Sequence, residues 1–209
     1  MNIKVNSSSC PVCNTSDTSE FFSQYNVPTQ CGFLAPTREQ ALKAPLGDIT
    51  LMHCRTCSHV WNSSFDPDRL GFEPDYDFSQ YYSPTYRAYV GSVIERLKSR
   101  YDLEGKTALD IGCGKGDFMR MLVAAGFTGV TGFDPTYVEG SLSEDDLRKI
   151  RVHKKFYDQS ERALRPDLVT CRSVLQYVPL PGHMLRNFRE TLEGQFETIL
   201  CFEVPNGSE

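Results

Sequence analysis

Residues 108–118 read ALDIGCGKGDF, an apolar run that leads directly into three glycines within five positions. Apolar residues up to Ile111 are typical of a buried strand, and residues 116–126 have the periodicity of an amphipathic helix. Glycine adopts positive φ readily and leaves the backbone open to close approach by a ligand. The stretch therefore predicts a tight, ligand-binding turn at Gly112, Gly114 and Gly116, between a strand and a helix.

This turn lacks the spacing of the common phosphate-binding loops. A dinucleotide-binding G-x-G-x-x-G needs a small residue where this chain has Asp117, and a P-loop needs Ser or Thr after Lys115, where this chain has Gly116. Asp110, at the entrance of the turn, would repel a phosphate. The residues favour a ligand that carries a positive charge and argue against a nucleotide hydrolase.

S-adenosylmethionine meets these requirements, because it has no phosphate and carries an ammonium group that a carboxylate can neutralise. Its ribose hydroxyls need an acidic acceptor, and Asp134 follows Asp110 by 24 positions, at the predicted end of the next strand. The alternative for Asp134 is that it only caps a turn in "FDPT". For the glycines, the alternative is a tight turn with a purely structural role.

From about residue 106 the chain alternates strand-like and helix-like segments, which predicts an α/β fold with a Rossmann-like parallel sheet. Ser83 and Pro84 would begin a helix ahead of this region, and Ser141 and Glu144 have capping-box spacing. Ligands bind at the carboxyl ends of the strands in such sheets. The predicted strands are 106–112, 129–135, 152–157, 166–175 and 196–205, and the predicted helices are 83–103, 116–126, 141–150 and 181–194.

Two Cys-x-x-Cys pairs, "CPVC" and "CRTC", predict a zinc site in a small N-terminal domain. The 40 residues between the pairs must then form a loop or hairpins of their own. Disulfides or reduced structural thiols are the alternatives, and Cys31, His53 or His59 could replace one ligand. The predicted ligands are Cys10, Cys13, Cys54 and Cys57. Three other cysteines in apolar runs, Cys113, Cys171 and Cys201, are expected to be small buried hydrophobic residues.

Composition excludes some classes of partner. The net charge is −5 with a pI near 5.4, which offers no general attraction for nucleic acid or an anionic membrane. The sequence contains neither an apolar leader nor a transmembrane run, so we expect a cytoplasmic protein. A change in composition near residue 84 predicts an N-terminal zinc-binding, substrate-side domain at 1–83 and a cofactor-binding domain at 84–209; no oligomeric state is indicated.

The segments "LDIGCGKGDF", "GFDP", "DLVTCRSVLQYV" and "FEVPN" resemble the successive motifs of class I S-adenosylmethionine-dependent methyltransferases, over about residues 85–205. With the four cysteines and "YDFSQYYSPTYRAY", the chain is similar to the sugar C-methyltransferase family, whose members carry an N-terminal zinc-binding domain. The resemblance implies that Asp110, Gly112 and Gly114 line the methionine end, Asp134 holds the ribose and Phe133 flanks the adenine. The candidate cofactor-binding residues are Asp110, Gly112, Cys113, Gly114, Gly116, Phe133, Asp134, Tyr157, Arg172 and Ser173.

The resemblance also implies a catalytic tyrosine and a His-Glu-His motif for carbon methylation of a keto sugar. Tyr76, Tyr81 and Tyr82 are the tyrosine candidates, whereas the chain stops at "VPNGSE" before any His-Glu-His motif. In the resembling family the sheet continues for two more strands. We therefore expect the sheet of this chain to be incomplete after strand five, because the chain is a fragment or because a partner covers the sheet edge. Such a chain should bind cofactor more readily than it turns over substrate.

Three functions remain open. The preferred one is methyl transfer to a small-molecule acceptor, a sugar or nucleotide sugar, without nucleic acid or membrane partners. The second is a zinc-containing RNA methyltransferase, and the third is a non-catalytic scaffold that keeps the cofactor fold.

Overall fold

The computed structural model describes residues 9–29, 35–66, 69 and 79–206. The chain forms two compact units, Met1–Phe78 with Val178–Arg186, and Ser79–Tyr177 with Asn187–Glu209. The functional domains at 1–83 and 84–209 stay a prediction. None of the helices in the described part of the chain is both long and apolar enough to cross a membrane.

The first unit contains a three-stranded antiparallel sheet in the order β1-β2-β3. Its strands are β1 (Thr18–Pro28), β2 (Leu46–Cys54) and β3 (Val60–Asn62), and a short helix α1 (Arg38–Leu42) lies between β1 and β2. Cys10, Cys54 and Trp61 form its buried cluster. The expectation that hairpins occupy the segment between the two cysteine pairs is confirmed.

The second unit has a parallel five-stranded sheet in the order β6-β5-β4-β7-β8, a Rossmann-like α/β arrangement. The strands are β4 (Thr107–Ile111), β5 (Gly129–Phe133), β6 (Ile150–His153), β7 (Leu168–Arg172) and β8 (Ile199–Glu203). Its helices are α2 (Pro84–Tyr101) and α3 (Asp117–Ala124). Residues 187–191 of helix α4 (Pro181–Thr191) also belong to this unit, whereas residues 181–186 belong to the first. All five predicted strands are present, as are the predicted helices that correspond to α2, α3 and α4.

Local sequence explains how α2 begins and what it buries. The Ser83 side chain accepts a 3.3 Å hydrogen bond from the Tyr86 amide, and Pro84 occupies the first helical position, as predicted. Val90 and Ile94, one turn apart, are buried against a cluster that includes Met119 and Leu122 of α3. Burial of this apolar stripe against the sheet stabilises the unit.

The predicted helix at 141–150 is wrong. Only a 3-10 turn, Asp146–Arg148, forms there, and β6 begins at Ile150, two residues before the predicted strand. The capping pair is Ser143 and Asp146: each backbone amide donates to the other residue's side chain, at 3.0 and 3.2 Å. Capping at this point leaves too few residues for a helix before the apolar Ile150 enters the sheet.

Candidate cofactor and metal sites

The glycine turn joins the carboxyl end of β4 to the start of α3. Gly112, Gly114 and Gly116 have φ values of 72°, 52° and 90°, so the predicted strand–turn–helix is confirmed. A side chain at Gly112 would lie 2.2 Å from Cγ2 of Val174, whereas no atom of the residues that the structure describes lies within 4 Å of a Cβ placed on Gly114. Gly112 is therefore required by the fold, and Gly114 has open space beside it.

Asp134 holds this turn at the end of β5. Its Oδ2 accepts a 2.8 Å hydrogen bond from the Gly114 amide, and its Oδ1 accepts from the Thr136 amide and hydroxyl at 2.7 and 2.6 Å. The residue is 8% exposed. A carboxylate offers about four lone-pair positions, so three are occupied by the chain. The turn-capping alternative for Asp134 therefore describes part of what this residue does.

Asp110 lies within β4 rather than at the entrance of the turn. It is 3% exposed, and its Oδ1 accepts a 2.7 Å hydrogen bond from the Thr170 hydroxyl on β7. Burial raises the pKa of Asp110 to about 7, with Thr170 and Arg172 acting in the opposite direction and Asp134 adding to the rise. The site therefore contains a carboxyl whose charge is easily changed by a ligand.

Arg172, the last residue of β7, is bound on all sides by protein groups. Its guanidinium pairs with the Glu203 carboxylate at 3.1 Å and donates to the hydroxyls of Tyr81 and Tyr86 at 2.7 and 3.0 Å. It also stacks 4.3 Å above the ring of Phe118, in the first turn of α3. These partners hold the guanidinium in place, and binding of the cofactor by Arg172 itself stays a prediction.

The aromatic candidates near β5 are largely enclosed. Phe133 is 1% exposed, and the His153 ring stacks on it at 4.7 Å. Tyr157 meets Phe133 edge-on at 5.4 Å, and burial raises the pKa of the Tyr157 hydroxyl. Phe133 is therefore packed between His153 and Tyr157, and a position beside the adenine stays a prediction for it.

The packing role of Cys113 was predicted from the sequence, whereas the conformation of Ser173 was not. Cys113 is buried, and its Sγ would lie 2.7 Å from a Cβ placed on Gly132, so it packs turn against strand as a small hydrophobic residue. Ser173 has φ 53°, and its amide donates to the Glu203 carbonyl at 2.9 Å. A serine in this left-handed conformation, directly after β7, is a strained feature that no sequence pattern indicated.

The tyrosine candidates differ in environment. Tyr81 is partly buried and Tyr82 is 79% exposed, while Tyr76 lies outside the described residues. Burial raises the pKa of the Tyr81 hydroxyl well above its usual range, against the opposing effect of Arg172. Both tyrosines line a cavity of about 560 Å³, whose other walls include Lys115, Asp117 and residues 138–141. The ten predicted cofactor-binding residues are not among those lining this cavity.

The four predicted metal ligands are gathered in one place. Their sulfurs lie within 4.8 Å of one another, with Cys10–Cys57 and Cys13–Cys54 each at 3.6 Å. Four sulfurs around a tetrahedral zinc at about 2.3 Å are roughly 3.8 Å apart. All four thiols are free, which excludes the disulfide alternative for this arrangement. Neither His53 nor His59 belongs to the four-sulfur group among the described residues, and Cys31 lies outside them.

The two Cys-x-x-Cys segments share one backbone geometry. The amides of Asn14 and Ser58 each donate at 2.9 Å to the carbonyl of the first cysteine of their pair, Cys10 or Cys54. The amide of each first cysteine donates, also at 2.9 Å, to the carbonyl five residues later. Asn14 and Ser58 have φ values of 60° and 62°. Two equivalent turns thus present their thiols to a common centre, a relationship that cysteine spacing alone did not reveal.

Hydrogen bonding prepares one thiol of the cluster for ligation. Although burial opposes it, the pKa of Cys54 is lowered to about 7 by the backbone amides of Cys57 and Thr56. The Cys57 amide lies 3.4 Å from the Cys54 sulfur. A thiolate is the form that binds a metal, so the lowered pKa of Cys54 suits ligation, whereas burial and the neighbouring cysteines raise the pKa values of Cys13 and Cys57. The spacing of the four sulfurs fits a tetrahedral zinc site.

Comparisons with curated proteins give relatives over part of the chain. A tRNA U34 carboxymethyltransferase of Nautilia profundicola is 28% identical over 123 residues, 54% of this chain and 39% of that protein. A ubiquinone biosynthesis O-methyltransferase of Hydrogenovibrio crunogenus is 34% identical over 105 residues, 44% of this chain and 40% of that protein. The chain spans about two fifths of the length of these curated relatives.

Two methyltransferases are among the solved structures that match part of the chain. The amino pentose methyltransferase CalS10 of Micromonospora echinaspora has a TM-score of 0.39 and 19% identity, covering 63% of this chain and 59% of that chain. The methyltransferase domain of bacterial CtHen1 has a TM-score of 0.40 and 21% identity, covering 58% and 66%.

A family model described as "Methyltransferase domain" matches residues 83–208, more than half of the chain. The matched region contains the five-stranded parallel sheet, the glycine turn and Asp134. The chain belongs to this methyltransferase domain family, among the class I S-adenosylmethionine-dependent methyltransferases.

Proposed function

We propose that this protein binds S-adenosylmethionine at the carboxyl edge of β4, β5 and β7 and transfers its methyl group to a small-molecule acceptor. The observation that carries the proposal is the turn at Gly112–Gly116, held by Asp134 and open beside Gly114. Asp134 after β5 and the glycine-rich turn after β4 suit an adenosine ligand without phosphates. The family match over residues 83–208 supports the same cofactor.

Each residue at this edge has a defined part in the proposal. Asp134 would bind the ribose with the lone-pair position that the Gly114 and Thr136 donors leave, and Gly114 would let the backbone approach the ligand. Asp110 would lie beneath the methionine end of the cofactor, where the ammonium group of the ligand favours the charged form of the carboxyl. Ser173, held by Glu203, would border the methyl group.

The cofactor supplies an electrophilic methyl group on a sulfonium ion. The protein's contribution is to align an acceptor in line with that group and to exclude water from it. The 560 Å³ cavity beside the glycine turn has the size of a small-molecule site. Tyr82 lines the cavity and could contact an acceptor, while the raised pKa of Tyr81 suits a hydrogen-bond donor rather than a base.

We further propose a sugar or nucleotide sugar as the acceptor. The resemblance of the cysteine pairs and of "YDFSQYYSPTYRAY" to sugar C-methyltransferases supports this choice. The test is a calorimetric titration of the protein with S-adenosylmethionine and S-adenosylhomocysteine, followed by a screen of keto-sugar nucleotides for methyl transfer. Saturable cofactor binding with transfer to one of them supports the proposal, whereas a folded protein that binds neither ligand contradicts it.

We propose that Cys10, Cys13, Cys54 and Cys57 hold one structural zinc ion. The tetrahedral spacing of the sulfurs and the two equivalent turns support the site. Elemental analysis of protein purified without added metal should give about one zinc per chain. Reduced protein without metal would overturn the assignment.

RNA methylation is the second candidate function, favoured by one feature of the surface. Residues 148–155 carry five Lys or Arg and no acid, and they include β6, an edge strand of the parallel sheet. One relative is by name a tRNA-modifying enzyme. RNA binding that weakens steeply with salt, and is lost in an Arg151→Glu/Lys154→Glu variant, would support this function.

A further inference from the structure

Arg172 is a buried junction between four elements of the second unit. Its side chain is 9% exposed, and each of its three nitrogens donates to a protein group. The partners are Glu203 on β8 and the hydroxyls of Tyr81 and Tyr86, ahead of and within α2, and the guanidinium also covers Phe118 on α3. A guanidinium held in this way has little freedom to turn toward a ligand.

The two tyrosines bound by Arg172 are not equivalent. Both hydroxyls accept a hydrogen bond from the guanidinium, so each retains its own proton for donation elsewhere. Tyr81 lines the cavity beside the glycine turn together with Lys115, whereas Tyr86 is not among the residues that line it. Arg172, which holds the Tyr81 hydroxyl, ends β7, and Cys171 of β7 pairs with Ile111, the neighbour of Asp110 on β4. Tyr81 is therefore the neutral donor beside the proposed methionine end of the cofactor, and Tyr86 packs against it edge-on at 5.2 Å.

The amino-acid end of the cofactor has two charged groups. Asp110 suits the ammonium, and the carboxylate needs a donor that stays protonated near the same strand end. The Tyr81 hydroxyl meets that need, because Arg172 fixes its oxygen at 2.7 Å. A hydrogen bond to a charged group is also stronger than one between neutral groups.

We propose that Arg172 is a positioning residue that holds the Tyr81 hydroxyl so that it donates a hydrogen bond to the carboxylate at the cofactor's amino-acid end. This inference rests on the proposed function. It replaces the expectation that Arg172 binds the cofactor itself, and it assigns the carboxylate contact to a residue that was a candidate only for catalysis.

The test compares the affinities of S-adenosylhomocysteine and 5′-methylthioadenosine, which lacks the amino-acid end, by calorimetry. Tyr81→Phe should weaken S-adenosylhomocysteine binding about tenfold or more, with methylthioadenosine within about twofold of wild type. Tyr86→Phe is the matched control, since it removes the other hydroxyl bound by Arg172, and it should leave both affinities within about twofold. Equal weakening of both ligands by Tyr81→Phe, or the same effect from Tyr86→Phe, would overturn the inference.

A double-mutant cycle separates positioning from direct contact. Arg172→Lys keeps the charge but loses the planar fork that holds Tyr81. If Arg172 acts through Tyr81, the double variant Tyr81→Phe/Arg172→Lys should bind S-adenosylhomocysteine about as well as Tyr81→Phe alone. Additive losses would show that Arg172 contacts the ligand directly. If Arg172→Lys does not fold, Glu203→Gln, which weakens the ion pair that holds the guanidinium, takes its place in the same cycle.

The outcomes also separate this inference from the proposed function. Wild-type protein that is folded but binds neither ligand overturns both. Wild-type binding with an unaffected Tyr81→Phe variant overturns only the inference.

Discussion

The Gly114 amide donates a 2.8 Å hydrogen bond to Oδ2 of Asp134, so the turn after β4 is fastened to the end of β5. The carboxylate that is proposed to bind the ribose thus also shapes the loop beneath it. Asp134→Ala would remove this bond and those from Thr136, each worth about 1 kcal/mol. We expect urea unfolding to show a loss of roughly 2–3 kcal/mol of stability. Unchanged stability would contradict this role.

Gly114→Ala tests the cofactor site with less disturbance of the fold. Gly105 is a matched control, because both glycines have positive φ, 52° and 68° for Gly114 and Gly105, and within the described part of the chain neither has an atom within 4 Å of a Cβ position. Alanine at either should cost about 1 kcal/mol of unfolding free energy. Only Gly114→Ala should abolish S-adenosylmethionine binding in calorimetry; equal affinities for the two variants would contradict close ligand approach at Gly114.

Asp110 should make stability depend on pH. Its pKa is raised to about 7, so between pH 4 and 7 the native state holds a proton that the unfolded state has lost. Stability therefore falls as pH rises through this range. Asp110→Asn retains an oxygen for Thr170 and should become increasingly stable relative to wild type up to about pH 7, as measured by urea unfolding.

Asp146→Asn is the control, because the pKa of Asp146 is shifted in the opposite direction to that of Asp110. Hydrogen bonds from Ser143 lower the pKa of Asp146, so its contribution is present above its unfolded pKa and is lost only in acid. The stability difference between this variant and wild type should be constant from about pH 5 to 8. A constant difference for Asp110→Asn as well would contradict the buried-carboxyl assignment.

Removal of zinc should destabilise the first unit, which contains the four cysteines. A strong chelator should lower the thermal midpoint, because metal ligation stabilises the folded arrangement of the thiols. Cys54→Ser should lose the metal in elemental analysis, while Cys201→Ser, a partly buried thiol of β8, should retain it. Loss of metal from both variants, or from neither, would contradict the four-cysteine site.

Replacing Ser173 with glycine should stabilise the folded protein. Its φ of 53° is disfavoured for a side chain, so Ser173→Gly should raise the unfolding free energy by roughly 0.5–1 kcal/mol. Ser92→Gly, in the interior of α2, should lower it by a similar amount because glycine disfavours a helix. Denaturant unfolding of both variants measures the two signs; a destabilised Ser173→Gly would show that the serine side chain contributes more than the strain costs.

Sequence periodicity was sufficient for the parallel sheet but not for the segment before β6. The runs around β4, β5, β7 and β8 are apolar enough to fix strand identity, and the glycines place the turn. Residues 141–150 have a capping signal, but capping occurs between Ser143 and Asp146 instead, and the chain enters β6 early. Alternative capping positions a few residues apart compete with one another, and the point at which the chain enters β6 decides between them.

The sequence by itself determined the class of fold and the methyltransferase family, and it predicted the two candidate sites, because these follow from residue types at short spacing: glycines after a strand, an acid after the next, and paired cysteines. Only the tertiary structure decided what each side chain faces. It buried Asp110 and Phe133, used Asp134 to hold the turn, enclosed Arg172 between Tyr81 and Glu203, and made equivalent turns of two cysteine pairs far apart in the chain. Orientation and burial depend on contacts between residues distant in sequence, and local patterns do not encode those contacts.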